Sequence, residues 1–224
     1  MWQNFRRQVA SRHLPVRQLP ITSFDRDKSM YIRLASILYV ALFSGAVLAA
    51  QPAVDQLTQP CAECHGLAGA SNLAKTPHLN GQLASYLEEE ISGYARSLRV
   101  SSIPNHVPKT WNGAEIAAVA KFYASSKAVR LTQQTDPEMV AKGEILYKKR
   151  CAECHPDNGR ASDHDAPLMA GQNVEYLMEQ TRAFVSGQRK FVFMMDDAFR
   201  GLSPVELDSV VHFFASQSQN LNKK

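Results

Sequence analysis

The chain has 224 residues, 45% hydrophobic and 21% charged, with a formal net charge of +4. That is the composition of an ordinary globular protein. The positive charge is confined to the start: residues 1–50 hold seven Lys/Arg and two Asp/Glu, leaving 18 basic and 19 acidic residues beyond them. The basic balance therefore points to no nucleic-acid partner.

Residues 1–29 are basic, carry no apolar period, and read as an upstream over-call or an extended n-region. Met30 opens a compact leader. Arg33 precedes an apolar or small run from Leu34 to Ala50, and Val47, Ala49 and Ala50 give an A-x-A-like cleavage region. Residues 30–50 read as a secretory signal peptide. An uncleaved anchor is the rival, because the run lies at the short edge for a membrane span.

The first half of the remainder opens with a short helix that leads into Cys61-Ala62-Glu63-Cys64-His65. Its last helix is capped by Asn112 and Glu115. A linker rich in Thr and Gln covers 131–136. The second half then opens clearly: Asp136 is an N-cap, Pro137 takes the first helical position, and Glu138 lies in the first turn. That helix runs into Cys151-Ala152-Glu153-Cys154-His155, an identical motif. A loop over 157–170, a helix near 172–186, a second loop and a last helix follow. Ser203-Pro204-Val205-Glu206 is a capping box for the last helix. The expected architecture is all-α.

C-x-x-C-H is the attachment signature of c-type haem. Two thiols at that spacing reach the two vinyl-derived carbons of one porphyrin as thioethers. The adjacent His then offers its imidazole to the iron. Cys61, Cys64, Cys151 and Cys154 use up every cysteine of the chain, and His65 and His155 are the proximal ligands. Two covalent haem c groups are expected. The competing readings are one four-thiolate zinc site, two disulfides, or a redox C-x-x-C. None of these explains a His after both pairs, and no strand-rich stretch supports a thioredoxin-like pattern.

The repeat extends beyond the motif. At an offset of 90, Pro77 matches Pro167, Gly81-Gln82 matches Gly171-Gln172, Tyr86-Leu87 matches Tyr176-Leu177, and Arg99 matches Arg189. At an offset of 91, Glu115 matches Glu206, Val119 matches Val210, and Phe122 matches Phe213. One residue was gained or lost between Arg99 and Trp111. The chain is thus two copies of one small haem domain, 51–130 and 137–224. Domains of that size are marginal alone, and a tethered haem supplies much of the missing core.

Paired C-x-x-C-H domains, each with a P-x-L-x-G-Q-like loop and a Tyr-Leu helix, resemble the dihaem cytochrome c4 family over about residues 55–217. Met194-Met195 followed by Leu202-Ser203 fits the same pattern. The resemblance implies two class I cytochrome c domains in tandem, with the haems close together. It also implies single-electron transfer in the periplasm between a respiratory donor and a terminal acceptor. Partners of that kind include a membrane oxidase, a quinol–cytochrome c reductase complex, a copper protein or a flavoprotein. Loose membrane association follows if the leader is kept. Similar modules serve as cytochrome subunits of dehydrogenases, such as flavocytochrome c sulfide dehydrogenase. Some dihaem thiosulfate dehydrogenases also look similar but use a Cys thiolate as an axial ligand. Here every cysteine is committed to thioethers, which argues against an enzyme of that kind.

The family spacing marks Met195 as the second axial ligand of the 151–155 haem, with Met194 as packing. The first half has no Met between Met30 and Met139. His106, placed nearly where Met195 lies in the other copy, is the candidate there. His78 competes but matches Leu168, which is expected on the proximal side. His164 and His212 read as structural or solvent-facing. The expected function is electron carriage without a substrate of the chain's own. A haem enzyme working at an unusually ligated first haem and a ligand-sensing module are the alternatives.

Overall fold

In a computed structural model of the chain, residues 53–191 and 193–218 are described. The expected over-call and signal peptide, 1–50, lie outside the described residues, as do 51, 52, 192 and 219–224. The described residues are helical and contain no strand. Among them no helix is long and apolar enough to cross a membrane.

The first half contains α1 (Val54–His65), α2 (Ala84–Ala95) and α3 (Gly113–Ser125). The second contains α4 (Pro137–Arg150), α5 (Val174–Val185), α6 (Phe193–Phe199) and α7 (Pro204–Ser216). The caps read from sequence form. Asp136 accepts from the backbone N–H of Glu138 and Met139. Asn112 with Glu115 and Ser203 with Glu206 close reciprocal capping boxes. Each such cap satisfies helix-end donors and stabilises by about 1 kcal/mol.

Two expectations need correction. The second loop of the second half holds a helix, α6. The opening helix of the first half is not short, because it continues through the whole motif to His65. In the second half the same five residues leave the helix, and α4 ends at Arg150. The residue after the motif accounts for this. Gly66 follows His65, whereas Pro156 follows His155, and a residue before proline is pushed out of the α region. His155 sits at φ −120°, ψ 62°, and the chain then makes a tight turn with Asp157 and Asn158 left-handed.

Each half has its own apolar core. The first gathers Leu57, Leu87, Val119, Ala120 and Tyr123, with Cys61 packed against them. The second gathers Tyr147, Leu177, Val211, Phe213 and Phe214, with Cys151 against them. Their packing differs. α4 lies along α7 in the most extensive helix pair of the molecule, whereas α1 meets α3 only briefly and α2 carries most of the contact to α3. Gly143 permits the tight crossing: a Cβ there would stand 2.0 Å from the Ser209 carbonyl oxygen. Its counterpart, Ala53, precedes α1 and takes no part in a crossing.

The segment between the halves is tied down. The Gln133 amide donates to the carbonyls of Gln172 (2.9 Å) and Ala215 (3.2 Å) and accepts from Val174 N–H at 2.9 Å. Arg130 donates to the Asn80 side-chain oxygen at 2.6 Å.

Candidate haem sites

The proximal geometry is duplicated. His65 Nδ1 donates to the Pro77 carbonyl at 2.9 Å, and His155 Nδ1 donates to the Pro167 carbonyl at 2.9 Å. Each bond fixes the tautomer and leaves Nε2 as the nitrogen available to a metal. Burial lowers the pKa of both rings, although the carbonyl bonds oppose the shift. Both imidazoles therefore stand neutral at pH 7, the state a metal ligand requires. The four cysteines are free of disulfides. Among the described residues no three His, Cys, Asp or Glu converge on a metal site, so the pooled zinc arrangement does not form.

On the opposite side the halves diverge. His106 lies in the loop that joins α2 to α3. Its ring is parallel to that of His65 within 6°, with centroids 6.2 Å apart. That gap is too wide for contact between ring carbons, which meet at about 3.5–4.0 Å. Two imidazoles that share one metal through bonds of about 2.0–2.1 Å place their centroids about 6 Å apart. The Nδ1 of His106 is buried and has no protein partner. Burial, followed by the Arg99 charge, lowers its pKa. Tyr94 packs edge-on against it at 4.7 Å. The parallel pair, the orphaned nitrogen and the neutral rings fit a porphyrin iron held between them.

In the second half the corresponding region is apolar. Phe184 takes the place of Tyr94 and packs with Phe191 (5.0 Å) and Phe199 (6.1 Å). Met195 lies on α6, half-buried, while Met194 is 44% exposed. That ordering agrees with Met195 rather than Met194 facing inward.

The other histidines are accounted for differently. His78 is 1% exposed, with neither ring nitrogen partnered, and its backbone is held by the other half. Burial, followed by the Arg130 charge, lowers its pKa to about 4. His212 Nδ1 accepts from Asp136 N–H at 3.0 Å and so supports the start of α4. His164 lies exposed beside Asp163.

Three features carry no sequence-stated role. Tyr94 abuts His106. A buried cluster spans the halves: Arg99 and Arg189 both pair with Glu90, Arg99 donates to Tyr176 and Gln180, and Arg189 donates to Tyr86 and Gln180. Gln82 and Gln172 reach across to the opposite half. The repeat alignment had matched the Arg, Tyr and Gln pairs, and that recurrence was the available signal.

Comparison with known proteins agrees with this geometry. No protein-family model matches the chain. It is 27% identical over 172 residues to cytochrome c4 of Thiocapsa roseopersicina, covering 71% of this chain and 88% of the relative. The crystal structure of reduced recombinant cytochrome c4 from Pseudomonas stutzeri superposes with a TM-score of 0.62 at 21% identity, covering 74% of this chain and 97% of that one. The chain is a dihaem cytochrome c4-like protein. Its fold is a tandem of class I cytochrome c domains, and its cofactors are two covalently bound haem c groups. This cytochrome c4-like chain is also 26% identical over 173 residues to a thiosulfate dehydrogenase electron acceptor of Thiomonas intermedia, covering 71% and 79% of the two.

Proposed function

We propose that this dihaem electron-transfer cytochrome works in the periplasm as a two-centre carrier with unequal irons. Its domains are 51–130 and 137–224, joined by 131–136. Cys61 and Cys64 tether one haem, and Cys151 and Cys154 the other. His65 and His106 hold the first iron, while His155 and Met195 hold the second. Each iron supplies a one-electron ferric–ferrous couple when bound.

The observation that carries the reading is the parallel, 6.2 Å pairing of His65 with His106, which no residue of the second half repeats. A neutral imidazole donates more to ferric iron than a thioether does, so Met on one side raises the potential. Each difference of about 59 mV is a tenfold bias in one-electron equilibrium. Electrons enter through the 61–65 site and rest at the 151–155 site. The apolar Phe184, Phe191 and Phe199 cluster, by excluding water, disfavours the extra charge of the ferric state and adds to that bias.

The sulfur-oxidising relative favours one donor class, a dehydrogenase acting on a reduced sulfur oxyanion. The chain takes the electrons and leaves the substrate chemistry to its partner. Mixing the oxidised holo-protein with thiosulfate alone should leave its visible spectrum unchanged. Adding a catalytic amount of a thiosulfate dehydrogenase should reduce it by two electrons per chain. Reduction and turnover of thiosulfate by the purified chain alone would replace the carrier reading with an enzymatic one.

A further inference from the structure

Gly-Gln is one of the repeat matches that the haem motif does not explain. Gln82 and Gln172 are each only 5% exposed. Each follows a glycine at φ of +67° or +68°, a left-handed turn that suits glycine and swings the next side chain across the boundary.

Their contacts are reciprocal. Gln172 Oε1 accepts from His78 N–H at 2.9 Å and from Asn173 N–H at 3.0 Å, and its Nε2 donates to the His78 carbonyl at 3.0 Å. Gln82 Oε1 accepts from Leu168 N–H at 2.9 Å and from Leu83 N–H at 3.0 Å, and its Nε2 donates to the Leu168 carbonyl at 3.0 Å. His78 and Leu168 are themselves repeat counterparts. The clamp is therefore made twice about one pseudo-twofold axis.

The N–H of His78 belongs to the same peptide group as the Pro77 carbonyl, and that carbonyl accepts from His65 Nδ1 at 2.9 Å. One amide therefore stands between Gln172 of the second half and His65 of the first. The Pro167–Leu168 amide stands likewise between Gln82 and His155. An amide whose N–H donates to an acceptor gathers more negative charge on its oxygen. Hydrogen bonds in such a chain strengthen one another, by roughly 10–30% per bond. A more basic carbonyl draws the Nδ1 proton harder, gives the ring more imidazolate character, and makes Nε2 a stronger donor. Partners of this kind tune a metal through its ligand.

We propose that Gln82 and Gln172 are crossed positioning residues: each sets, through one peptide group, the donor strength of the proximal histidine in the opposite half. The inference rests on His65 and His155 being the haem ligands. Each site then has a tuning residue that the other site's domain supplies. A domain separated from its partner would hold its iron at a different potential.

The test is a redox titration of the two-haem protein, each haem followed by its own ferric electron paramagnetic resonance signal. Gln172→Leu removes the acceptor from His78 N–H. It should raise the potential of the 61–65 haem by about threefold in equilibrium constant, about 28 mV, and leave the 151–155 haem unmoved. Gln82→Leu should do the converse. Gln172→Glu keeps an acceptor oxygen, adds negative charge, and should shift the 61–65 haem the opposite way; it also serves if the Leu variant does not fold. A shift at the haem of the substituted half, equal shifts at both, or none would overturn the proposal, because simple loosening of the interface gives those patterns. Haem content and the wild-type low-spin spectrum test the ligand reading separately. If those fail, both readings fall, whereas a missing crossed shift with those intact removes the crossed tuning alone.

Discussion

The two halves agree on the proximal side of each site and part company on the distal side. Cys-Ala-Glu-Cys-His, the histidine-to-carbonyl bond of 2.9 Å, and the Gln clamp are all duplicated. Opposite them, Tyr94 and His106 in the first half face Phe184 and Met195 in the second. The proximal side must tether the cofactor and fix a tautomer, and one solution serves both copies. The distal side sets the ligand field, and there a changed loop gives each copy its own chemistry. In the first half that loop carries no helix between α2 and α3; in the second it holds α6.

The largest expected effect breaks one half and spares the other. Cys151→Ala with Cys154→Ala should lower the covalent haem content from two to one per chain by pyridine haemochrome assay. The signals of the 61–65 haem should persist, and loss of both haems would show that the halves do not mature independently. Next is His106→Ala. It should open the first iron to carbon monoxide and cyanide, and leave the thioether signature of the second unchanged. If neither ligand binding nor spectrum changes, His106 is a bystander.

Gly143→Ala sharpens the difference in helix packing. In an open helix that change gains up to about 1 kcal/mol. Here the new Cβ meets the Ser209 carbonyl at 2.0 Å, so the holo-protein should lose about 1–3 kcal/mol in denaturant unfolding. Ala53→Gly at the matching position should cost far less. His78→Leu makes the first half like the second, and should stabilise by about 1 kcal/mol, because an unpartnered buried imidazole is removed. The gain should depend on pH. The folded-state value of about 4 lies below the ordinary 6.5, so the unfolded chain binds the extra proton and wild-type stability falls as pH drops between them. The variant's advantage should therefore be larger at pH 5 than at pH 7, and an advantage constant with pH would place His78 outside that linkage.

Much of this was legible in the residues. The caps at Asp136, Asn112 and Ser203 are local chemistry, and each formed. The all-helical tandem followed from the repeat. α6 was missed because its seven residues, Phe193–Phe199, offer no strong cap and too few turns to show a period. The divergent course of two identical motifs was settled by one following residue, Gly66 or Pro156, outside the pattern being matched. The Gln clamp and the Arg99–Glu90–Arg189 cluster join residues up to 99 positions apart. Their recurrence at the repeat offset was visible, but nothing in the sequence says that they reach across rather than within a half.

A near-infrared spectrum of the ferric protein, scaled to its haem content, separates the two irons most directly. Thioether ligation gives a charge-transfer band that bis-imidazole ligation lacks. One band of single-haem intensity is expected, abolished by Met195→Ala and untouched by His106→Ala. A band of two-haem intensity, or none at all, would contradict a chain that holds one bis-histidine and one histidine–methionine iron.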